Sequence, residues 1–333
     1  MRIAVYSAQD FDRETFCRAN KDKEHEFLFH NELLEESTTS LAESCEGVCI
    51  FVNDDANARI IGMLALKGVK LIALRCTGYN NVDLEAAGKY GITVVHVPEY
   101  SPYAIAEYTV GLLLAIVRKI NRAWMRVRLD NFSLNGLVGQ DLHGKTVGIV
   151  GTGRIGALVA RTMKLGFDCN VVAMDVKKNP DVEAIDIPYV ELEELIRTSD
   201  IVCLHCPMNS KTRHLVNMET IKLFKKGATL INTSRGGLTD AKTLIYAIEE
   251  GILGALALDV YEDEKDLFFR DFSSYVVKDA NFQRLTAFPN VLCTGHQAFF
   301  TTEALDSIAK TTLISIKKFE EEEDLPTKLE YKG

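Results

Sequence analysis

The sequence predicts an α/β fold made of two doubly wound, parallel-sheet domains. Short apolar runs recur along the 333-residue chain and alternate with stretches of helical apolar spacing. This alternation is typical of parallel strands that are connected by helices. The runs fall into two series with a helical segment between them, which indicates two domains.

The predicted strands define the two series. In the first series, strands begin at Ile3, Val48, Val69 and Ile92. In the second series, the strands are Val147 to Val150, Val171 to Met174, Ile201 to Leu204, Thr229 to Ile231, Leu256 to Leu258 and Val291 to Cys293. Each run has the length and apolar content of a buried strand.

Two further helices are predicted. One follows Ser101, whose hydroxyl can cap a helix, and it has Pro102 at its first position and runs through Val117. We expect this helix to bridge the two domains. The other spans Thr301 to Phe319 and ends in an acidic run at 320–324, which we interpret as a solvated helix end.

Composition and charge favour a globular, cytoplasmic protein. The chain is 47% hydrophobic and 26% charged, and its net charge of −9 does not favour binding to nucleic acid or anionic lipid. Its eight cysteines are scattered, often within apolar runs, which fits a reducing compartment. The first residues lack the pattern of a signal peptide, and no apolar stretch approaches the ~18 residues of a transmembrane helix.

The most informative motif is GTGRIG at residues 151–156, which follows a predicted strand and opens a helical pattern. Gly151 permits a tight turn, Gly153 allows the backbone to approach a pyrophosphate, and Gly156 lets the helix pack closely on the strand. Asp175 closes the next strand, where its carboxylate can accept hydrogen bonds from ribose hydroxyls. Together these features predict a Rossmann-like domain that binds NAD.

The acidic residue also disfavours NADP, because a carboxylate repels a 2′-phosphate. The neighbouring Lys177 and Lys178 would weaken that preference if they reached the phosphate. We interpret them as part of a solvated turn, since exposed lysines are common in loops.

Three polar groups follow strands of the second series. Arg235 lies in NTSRGG, Glu264 in the acidic run that begins at Asp259, and His296 in GHQ. Because the carboxyl ends of parallel strands share one edge of a sheet, we expect the three side chains to converge on one crevice. An arginine can hold a carboxylate through two parallel hydrogen bonds, and a histidine paired with an acid can exchange a proton near neutral pH. The trio therefore suits proton donation to a ketone as a hydride arrives.

In this order, the motifs resemble those of the D-2-hydroxyacid dehydrogenase family. They are GTGRIG with Asp175, NTSRGG, LDVYEDEKDLFF and GHQAFFT, and the resemblance runs nearly from end to end. CIFVNDDAN at 49–57, ALRCTGYNNVDL at 73–84 and VPEYSPYAIAEY at 97–108 are similar to the D-lactate branch of that family. The resemblance implies reversible, NAD-dependent reduction of pyruvate to D-lactate.

The resemblance also implies a domain organisation and catalytic roles. Residues 1–100 and 299–333 would form a discontinuous substrate domain, residues 101–298 would form the NAD-binding domain, and an active-site cleft would lie between them. Arg235 would anchor the substrate, His296 would be the acid in reduction and the base in oxidation, and Glu264 would be its partner. Relatives pair through the helical region around Trp124, which implies a homodimer or homotetramer.

By the same resemblance, two sets of residues would contact ligands. The cofactor would be bound by Gly151, Gly153, Arg154, Ile155, Gly156, Asp175, Cys206, Pro207, Thr212, Thr233, Ser234 and Asp259. The substrate would be bound by Cys76, Thr77, Gly78, Tyr79, Tyr100, Arg235, His296 and Phe299. Many relatives have histidine where Tyr108 stands and proline where Gly295 stands, and neither difference removes a catalytic group.

Several features have simpler interpretations than a functional site. Cys203 and Cys206 have CxxC spacing, but no second pair accompanies them, and we interpret them as structural rather than as ligands of a metal. The histidines at 25, 30, 96, 143, 205 and 214 are expected to lack an acid partner at a strand end. Trp124 and the arginines near it have helical spacing, and a bridging helix accounts for them better than a nucleic-acid site.

Two other functions stay open from the sequence. The first is a D-2-hydroxyacid dehydrogenase for a bulkier 2-ketoacid, which would differ in the size of its pocket. The second is a non-catalytic, NAD-sensing module, because corepressors that resemble this family keep the same trio. A phosphoglycerate-type enzyme is less favoured, since that branch often has a further regulatory domain, and none is expected after residue 333.

Overall fold

The chain forms two units, each built on one six-stranded sheet. The computed structural model describes residues 1–21 and 24–331. Unit 1 consists of Met1–Ser101 and Phe300–Gly333, and unit 2 consists of Pro102–Phe299. The predicted fold class, two α/β domains with parallel sheets, is confirmed.

The sheet of unit 1 has the strand order β12-β5-β4-β3-β1-β2, in which only β12 is antiparallel to its neighbour. The strands are β1 (Arg2–Val5), β2 (Glu26–Phe29), β3 (Gly47–Ile50), β4 (Leu71–Leu74), β5 (Thr93–Val95) and β12 (Lys328–Leu329). The helices are α1 (Asp10–Ala19), α2 (Ala58–Leu66), α3 (Leu84–Lys89) and α11 (Thr302–Glu320).

The two edge strands of this sheet, β2 and β12, were not among the predicted strands. The central strands β3 and β4 are buried at every position, so they stand out as apolar runs. In contrast, β2 has no buried residue and β12 has only two residues. The two residues of β12 are too few to form a hydrophobic pattern, whereas the apolar run at residues 27–29 of β2 was a signal that the sequence analysis missed.

The sheet of unit 2 is entirely parallel and has the order β11-β10-β9-β8-β6-β7. Its strands are β6 (Thr146–Val150), β7 (Asn170–Met174), β8 (Ile201–Leu204), β9 (Ala228–Asn232), β10 (Leu253–Leu258) and β11 (Val291–Cys293). Its helices are α4 (Pro102–Val117), α5 (Ile120–Val127), α6 (Arg154–Arg161), α7 (Pro180–Glu183), α8 (Leu192–Thr198), α9 (Ala241–Glu249) and α10 (Ala280–Ala287).

The strand order of unit 2 creates a binding crevice. Strand β6 lies between β7 and β8, and an isolated bridge between Ala173 and Tyr189 extends the sheet beyond β7. The chain direction across the sheet therefore reverses at β6, and in open α/β sheets ligands bind at the carboxyl ends of the strands at such a point. Helices cover both faces of the sheet: Leu230 belongs to the apolar core on one face and Ile231 to the core on the other.

Both helices predicted outside the strand series are present as α4 and α11. The acidic run that was predicted to be a solvated helix end begins with Glu320, the last residue of α11, whose side chain is 46% exposed. Glu320 Oε1 accepts a hydrogen bond of 2.9 Å from the amino group of Met1, and its other oxygen lies 3.6 Å from His25 Nδ1. Within the described residues, no helix is long and apolar enough to cross a membrane.

Candidate functional site

A histidine and a carboxylate meet at the carboxyl edge of the unit 2 sheet. His296 follows β11 and Glu264 follows β10, and His296 Nδ1 lies 2.8 Å from Glu264 Oε1. Because a carboxylate can only accept, Nδ1 is the donor in this contact, and Nε2 is the ring nitrogen left for a reacting group. The Phe269 ring lies 5.9 Å from the imidazole, centroid to centroid.

Glu264 is itself fixed by the backbone. Its Oε2 accepts a hydrogen bond of 3.0 Å from the amide of Tyr261, while its Oε1 faces His296. The side chains of His296 and Glu264 are only 17% and 22% exposed, so solvent screens their attraction less than that of a surface ion pair. The carboxylate therefore orients the imidazole.

The position of His296 depends on a second carboxylate, that of Asp259 at the end of β10. Asp259 is completely buried. It accepts hydrogen bonds from the Thr294 hydroxyl at 2.5 Å, from the Gln297 amide at 2.9 Å and from the Ala298 amide at 2.8 Å. Burial raises the pKa of Asp259, and these hydrogen bonds oppose the rise.

This arrangement gives Asp259 a positioning role, because its three donors flank His296 on both sides. In addition, the carbonyl of Asp259 accepts the His296 amide at 2.7 Å. Direct contact of Asp259 with the nicotinamide, which the resemblance implies, stays a prediction.

Arg235 lies in the loop that follows β9. The Asn232 side chain donates to the Arg235 carbonyl at 2.9 Å and accepts from the Ser234 amide at 3.0 Å, which closes the loop on itself. A Cβ on Gly236 would lie 2.0 Å from the carbonyl carbon of Tyr261, so only glycine allows this loop to contact the segment that leads to Glu264. The Arg235 guanidinium is partly exposed and donates to the Ser234 carbonyl at 2.8 Å.

The glycine motif forms the turn between β6 and α6. Gly151 has φ = 93°, and a Cβ there would lie 2.5 Å from the Cys206 amide nitrogen. A Cβ on Gly156 would lie 1.9 Å from the Gly151 carbonyl oxygen, so α6 packs closely against the turn. Among the described residues, however, no atom lies within 4 Å of a Cβ built on Gly153. The space beside Gly153, at the start of α6, fits a pyrophosphate.

Asp175 ends β7 beside this turn. Its Oδ2 accepts the Thr152 amide at 2.6 Å, and its Oδ1 accepts the Lys177 amide at 3.1 Å. A carboxylate has about four acceptor positions, so this one can also bind ribose hydroxyls. The turn, the open space at Gly153 and the acceptor thus fit an adenine dinucleotide.

Arg154 and Ile155 begin α6, and the other residues predicted to contact the cofactor lie in the loops after β8 and β9. The Ser234 hydroxyl donates to the Cys206 carbonyl at 2.8 Å, which joins the loops after β8 and β9. The Thr212 hydroxyl closes the loop after β8 through a hydrogen bond of 2.6 Å to the Pro207 carbonyl. The Thr233 hydroxyl lies 2.7 Å from that of Thr109, which is in α4.

Comparison with known proteins identifies the family. Residues 110–298 match the family model described as the NAD-binding domain of D-isomer specific 2-hydroxyacid dehydrogenases. The chain is 54% identical to "2-hydroxyacid dehydrogenase homolog 1" of Schizosaccharomyces pombe over 98% of each chain. The chain belongs to the D-2-hydroxyacid dehydrogenase family. It is therefore an NAD-dependent oxidoreductase, and the prediction of NAD as a cofactor is confirmed.

Two solved structures are similar over nearly the whole chain. One is the apo-structure of D-lactate dehydrogenase from Escherichia coli, with a TM-score of 0.91 and 42% identity over 99% of this chain and 100% of that chain. The other is the pyruvate reductase of Chlamydomonas reinhardtii, with a TM-score of 0.92 and 45% identity over 98% of both chains.

The substrate-binding residues predicted for this dehydrogenase lie in both units. Arg235, His296 and the buried Phe299 belong to unit 2. Residues 76–79 follow β4 of unit 1, where the Cys76 thiol donates to the Gly78 carbonyl at 3.2 Å and the Thr77 carbonyl lies 3.0 Å from His96 Nδ1. The ring of Tyr79 packs edge-on against His96, and Tyr100 lies at the end of unit 1.

A second histidine–carboxylate pair in unit 2 was not predicted, and the expectation that His214 lacks an acid partner is wrong. His214 Nε2 lies 3.0 Å from Glu262 Oε2, and the other oxygen of Glu262 accepts the amide of Ala241 at the start of α9. The pair joins the loop after β8 to the segment that carries Glu264. His25 and His143 also lie near carboxylates, those of Glu320 in α11 and of Asp168 before β7, but neither carboxylate follows the carboxyl end of a strand.

The remaining candidates in the dehydrogenase have structural environments. Burial raises the pKa of Cys203 to about 12 and that of Cys206 to about 11, so neither thiol is a ready nucleophile. His205 lies beneath the glycine turn, and burial lowers its pKa to about 4. No group of three or more histidine, cysteine or acidic side chains within residues 1–21 and 24–331 could hold a metal ion.

The two neighbouring glycines of the turn should respond differently to alanine. We expect Gly153→Ala to change the melting temperature by no more than about 3 °C, because its Cβ enters open space, and to weaken NADH binding at least about tenfold. We expect Gly156→Ala to lower the melting temperature by about 5 °C or more, because its Cβ clashes with a backbone carbonyl. Calorimetric melts and NADH titrations measure both effects, and undiminished NADH binding by Gly153→Ala would exclude a pyrophosphate at this turn.

Proposed function

We propose that this protein is a D-lactate dehydrogenase that reversibly reduces pyruvate to D-lactate with NADH. The observation that carries the proposal is the 2.8 Å contact between His296 Nδ1 and Glu264 Oε1 in an NAD-binding domain. Reduction of a ketone requires a proton donor at the carbonyl oxygen, and an imidazole held by a carboxylate is suited to that task. The names of the two similar structures, a D-lactate dehydrogenase and a pyruvate reductase, favour pyruvate over larger 2-ketoacids.

In the proposed mechanism, Arg235 binds the substrate carboxylate and carbonyl oxygen through its planar guanidinium. Bound NADH supplies the hydride that is added to the carbonyl carbon. The imidazolium of His296 donates the proton from Nε2 to the carbonyl oxygen, while Glu264 stabilises the charge and fixes the ring. In the reverse direction, neutral His296 accepts the hydroxyl proton, and the product of reduction has the D configuration.

The remaining contacts belong to the same proposal. The backbone amides of residues 76–79 would bind the substrate carboxylate, and Tyr100 and Phe299 would shape the pocket around the methyl group. On the cofactor side, Arg154 and Ile155 would contact the pyrophosphate, and Thr233 and Asp259 would contact the carboxamide. Asp175 would bind the ribose, and Cys206, Pro207 and Thr212 would lie on the adenine side.

We also propose that the enzyme works in the cytoplasm. All eight cysteines are free thiols, and seven of them are buried or partly buried. Unpaired cysteines in this number are typical of proteins from a reducing compartment.

We further propose a homodimer or homotetramer, assembled through the segment at residues 120–138. Exposed apolar side chains are concentrated there: Ile120, Trp124, Met125, Val127, Leu129, Phe132, Leu134 and Val138. The Arg126 side chain donates to the Asn135 carbonyl at 2.7 Å and so folds the segment back on α5. An apolar surface of this kind is rarely left open to water and indicates a protein partner.

The first experiment is an NADH oxidation assay with pyruvate and with bulkier 2-ketoacids, followed by chiral chromatography of the product. We expect the highest kcat/KM with pyruvate and only D-lactate as the product. A higher kcat/KM with a bulkier ketoacid would be consistent with the mechanism but would show that pyruvate is not the preferred substrate. Tight NADH binding without turnover of any ketoacid would contradict the proposed activity.

Substitutions of His296 and Arg235 should separate proton transfer from substrate binding. We expect His296→Ala to lower kcat about 10²- to 10⁴-fold with little change in NADH affinity, because the general acid is lost. We expect Arg235→Lys to raise the KM for pyruvate about tenfold or more, because an ammonium cannot form the bidentate contact. Steady-state kinetics and NADH titration measure these effects. The matched control is His143→Ala, which removes a largely exposed histidine that faces Asp168.

The assembly can be tested at Trp124, which is 57% exposed. We expect Trp124→Asp to reduce the molar mass in solution, because a charge in an apolar interface is costly to bury. Light scattering coupled to size-exclusion chromatography measures the mass. Tyr275→Asp is the control, since Tyr275 is 75% exposed and lies outside this segment. A monomeric wild-type protein would overturn the proposed assembly.

A further inference from the structure

A chain of hydrogen bonds links Asn179 and Tyr189 to the carboxylate of Asp175 through Thr152. The backbone amide of Asn179 donates to the Tyr189 hydroxyl at 2.9 Å, and the Tyr189 hydroxyl donates to the Thr152 hydroxyl at 2.8 Å. The Thr152 hydroxyl then donates to Asp175 Oδ2 at 3.3 Å. Each hydroxyl in this chain accepts one hydrogen bond and donates the next, so the direction of all three donors is fixed toward the carboxylate.

Backbone hydrogen bonds to β7 hold Tyr189 in place within unit 2. Tyr189 lies on an extended segment that pairs with β7: the Ala173 amide donates to the Pro188 carbonyl, and the Val190 amide donates to the Ala173 carbonyl, each at 2.9 Å. Thr152, the next member of the chain, is only 2% exposed. Tyr189 is thus attached to the same strand that ends in Asp175.

Tyr189 also faces one of the two lysines that follow Asp175. Lys178 Nζ lies 5.7 Å from the centroid of the Tyr189 ring and 3.8 Å from Glu183 Oε1. An aromatic face and a carboxylate both attract an ammonium group. The two partners therefore attract the ammonium of Lys178, whose side chain is 63% exposed and would otherwise be available to a phosphate on the adenosine ribose.

We propose that Tyr189 determines the preference of this enzyme for NAD over NADP. Through its hydroxyl it positions Asp175, which accepts from the ribose hydroxyls and repels a 2′-phosphate. Through its ring it retains Lys178, the cation that would neutralise that phosphate. The inference rests on the ribose role that the proposed function gives to Asp175.

The test is the equilibrium binding of NADH and of NADPH, measured by isothermal titration calorimetry on the full-length protein. We expect Tyr189→Phe, which keeps the ring and loses only the hydroxyl, to weaken NADH binding about three- to fivefold and to leave NADPH binding within about twofold of wild type. Tyr189→Leu also removes the ring that faces Lys178. We expect this variant to weaken NADH binding as Tyr189→Phe does and, unlike Tyr189→Phe, to tighten NADPH binding about threefold or more.

Two further variants make the result decisive. In the Tyr189→Leu, Lys178→Ala double variant, the gain in NADPH affinity should disappear, because the freed cation is absent. Asp175→Ala, made in the protein with an intact Tyr189, should narrow the difference between the Kd values of NADH and NADPH. If it does not, Asp175 does not have the proposed ribose role. A different result would refute only the inference about Tyr189. In that case Asp175→Ala narrows the difference between the two Kd values, while both Tyr189 variants keep the wild-type ratio of these values within about twofold, and the proposed function stands.

Discussion

The buried carboxylate of Asp259 is the constraint on which the reactive edge of unit 2 depends. A carboxylate without exposed surface is stable in a protein only if it is well supplied with donors. Here the donors are Thr294, Gln297 and Ala298, all in the segment that carries His296. His296 has a left-handed backbone, with φ = 53°, which costs about 1–2 kcal/mol for a residue with a Cβ. Hydrogen bonds to a charged group contribute about 1.5–3 kcal/mol each, so three of them exceed that cost.

Backbone amides also donate to the other carboxylates at this edge of the sheet. Glu264 accepts the amide of Tyr261, Glu262 accepts the amide of Ala241, and Asp175 accepts the amides of Thr152 and Lys177. In each case the backbone holds one part of the carboxylate and leaves another part for a side chain or a ligand. Groups that are held in place before a ligand arrives need little reorganisation when charge develops, which is a large source of catalytic rate.

The sequence predicted the elements of this molecule better than the contacts between them. Strand β8 and helix α4 were predicted with the bounds that the structure has, because a buried strand is continuously apolar and because Ser101 and Pro102 mark the start of a helix. The pair of His214 and Glu262 was missed for a different reason. The two residues are 48 positions apart, and their contact depends on a left-handed backbone at His214, with φ = 49°. No periodicity in a sequence encodes such a loop conformation.

In the candidate site, too, the residues of the motifs were predicted and the contacts that hold them were not. The glycine turn and Asp175 were predicted from their spacing, because every dinucleotide-binding turn of this type needs a glycine at a close approach and an acceptor at the end of the next strand. The groups that hold these residues, such as Thr294 for Asp259 and Tyr189 for Thr152, were not predicted. A supporting side chain can come from any loop that reaches the site, so its type and position have no fixed spacing to recognise. Only the folded structure reveals it.

Two carboxylates of similar chemistry therefore perform different tasks in unit 2 because different groups face them. Glu264 faces an imidazole at 2.8 Å, so it orients the ring that the proposed mechanism uses as the acid. Within the described residues, the oxygens of Asp175 accept from two backbone amides and a hydroxyl, and the nearby cation of Lys178 lies near Tyr189 and Glu183. In the proposed function, the charge of Asp175 accepts the ribose hydroxyls and repels a phosphate. The chemical role of each acid is set by the donors around it, as in other enzymes whose paired carboxylates divide their roles.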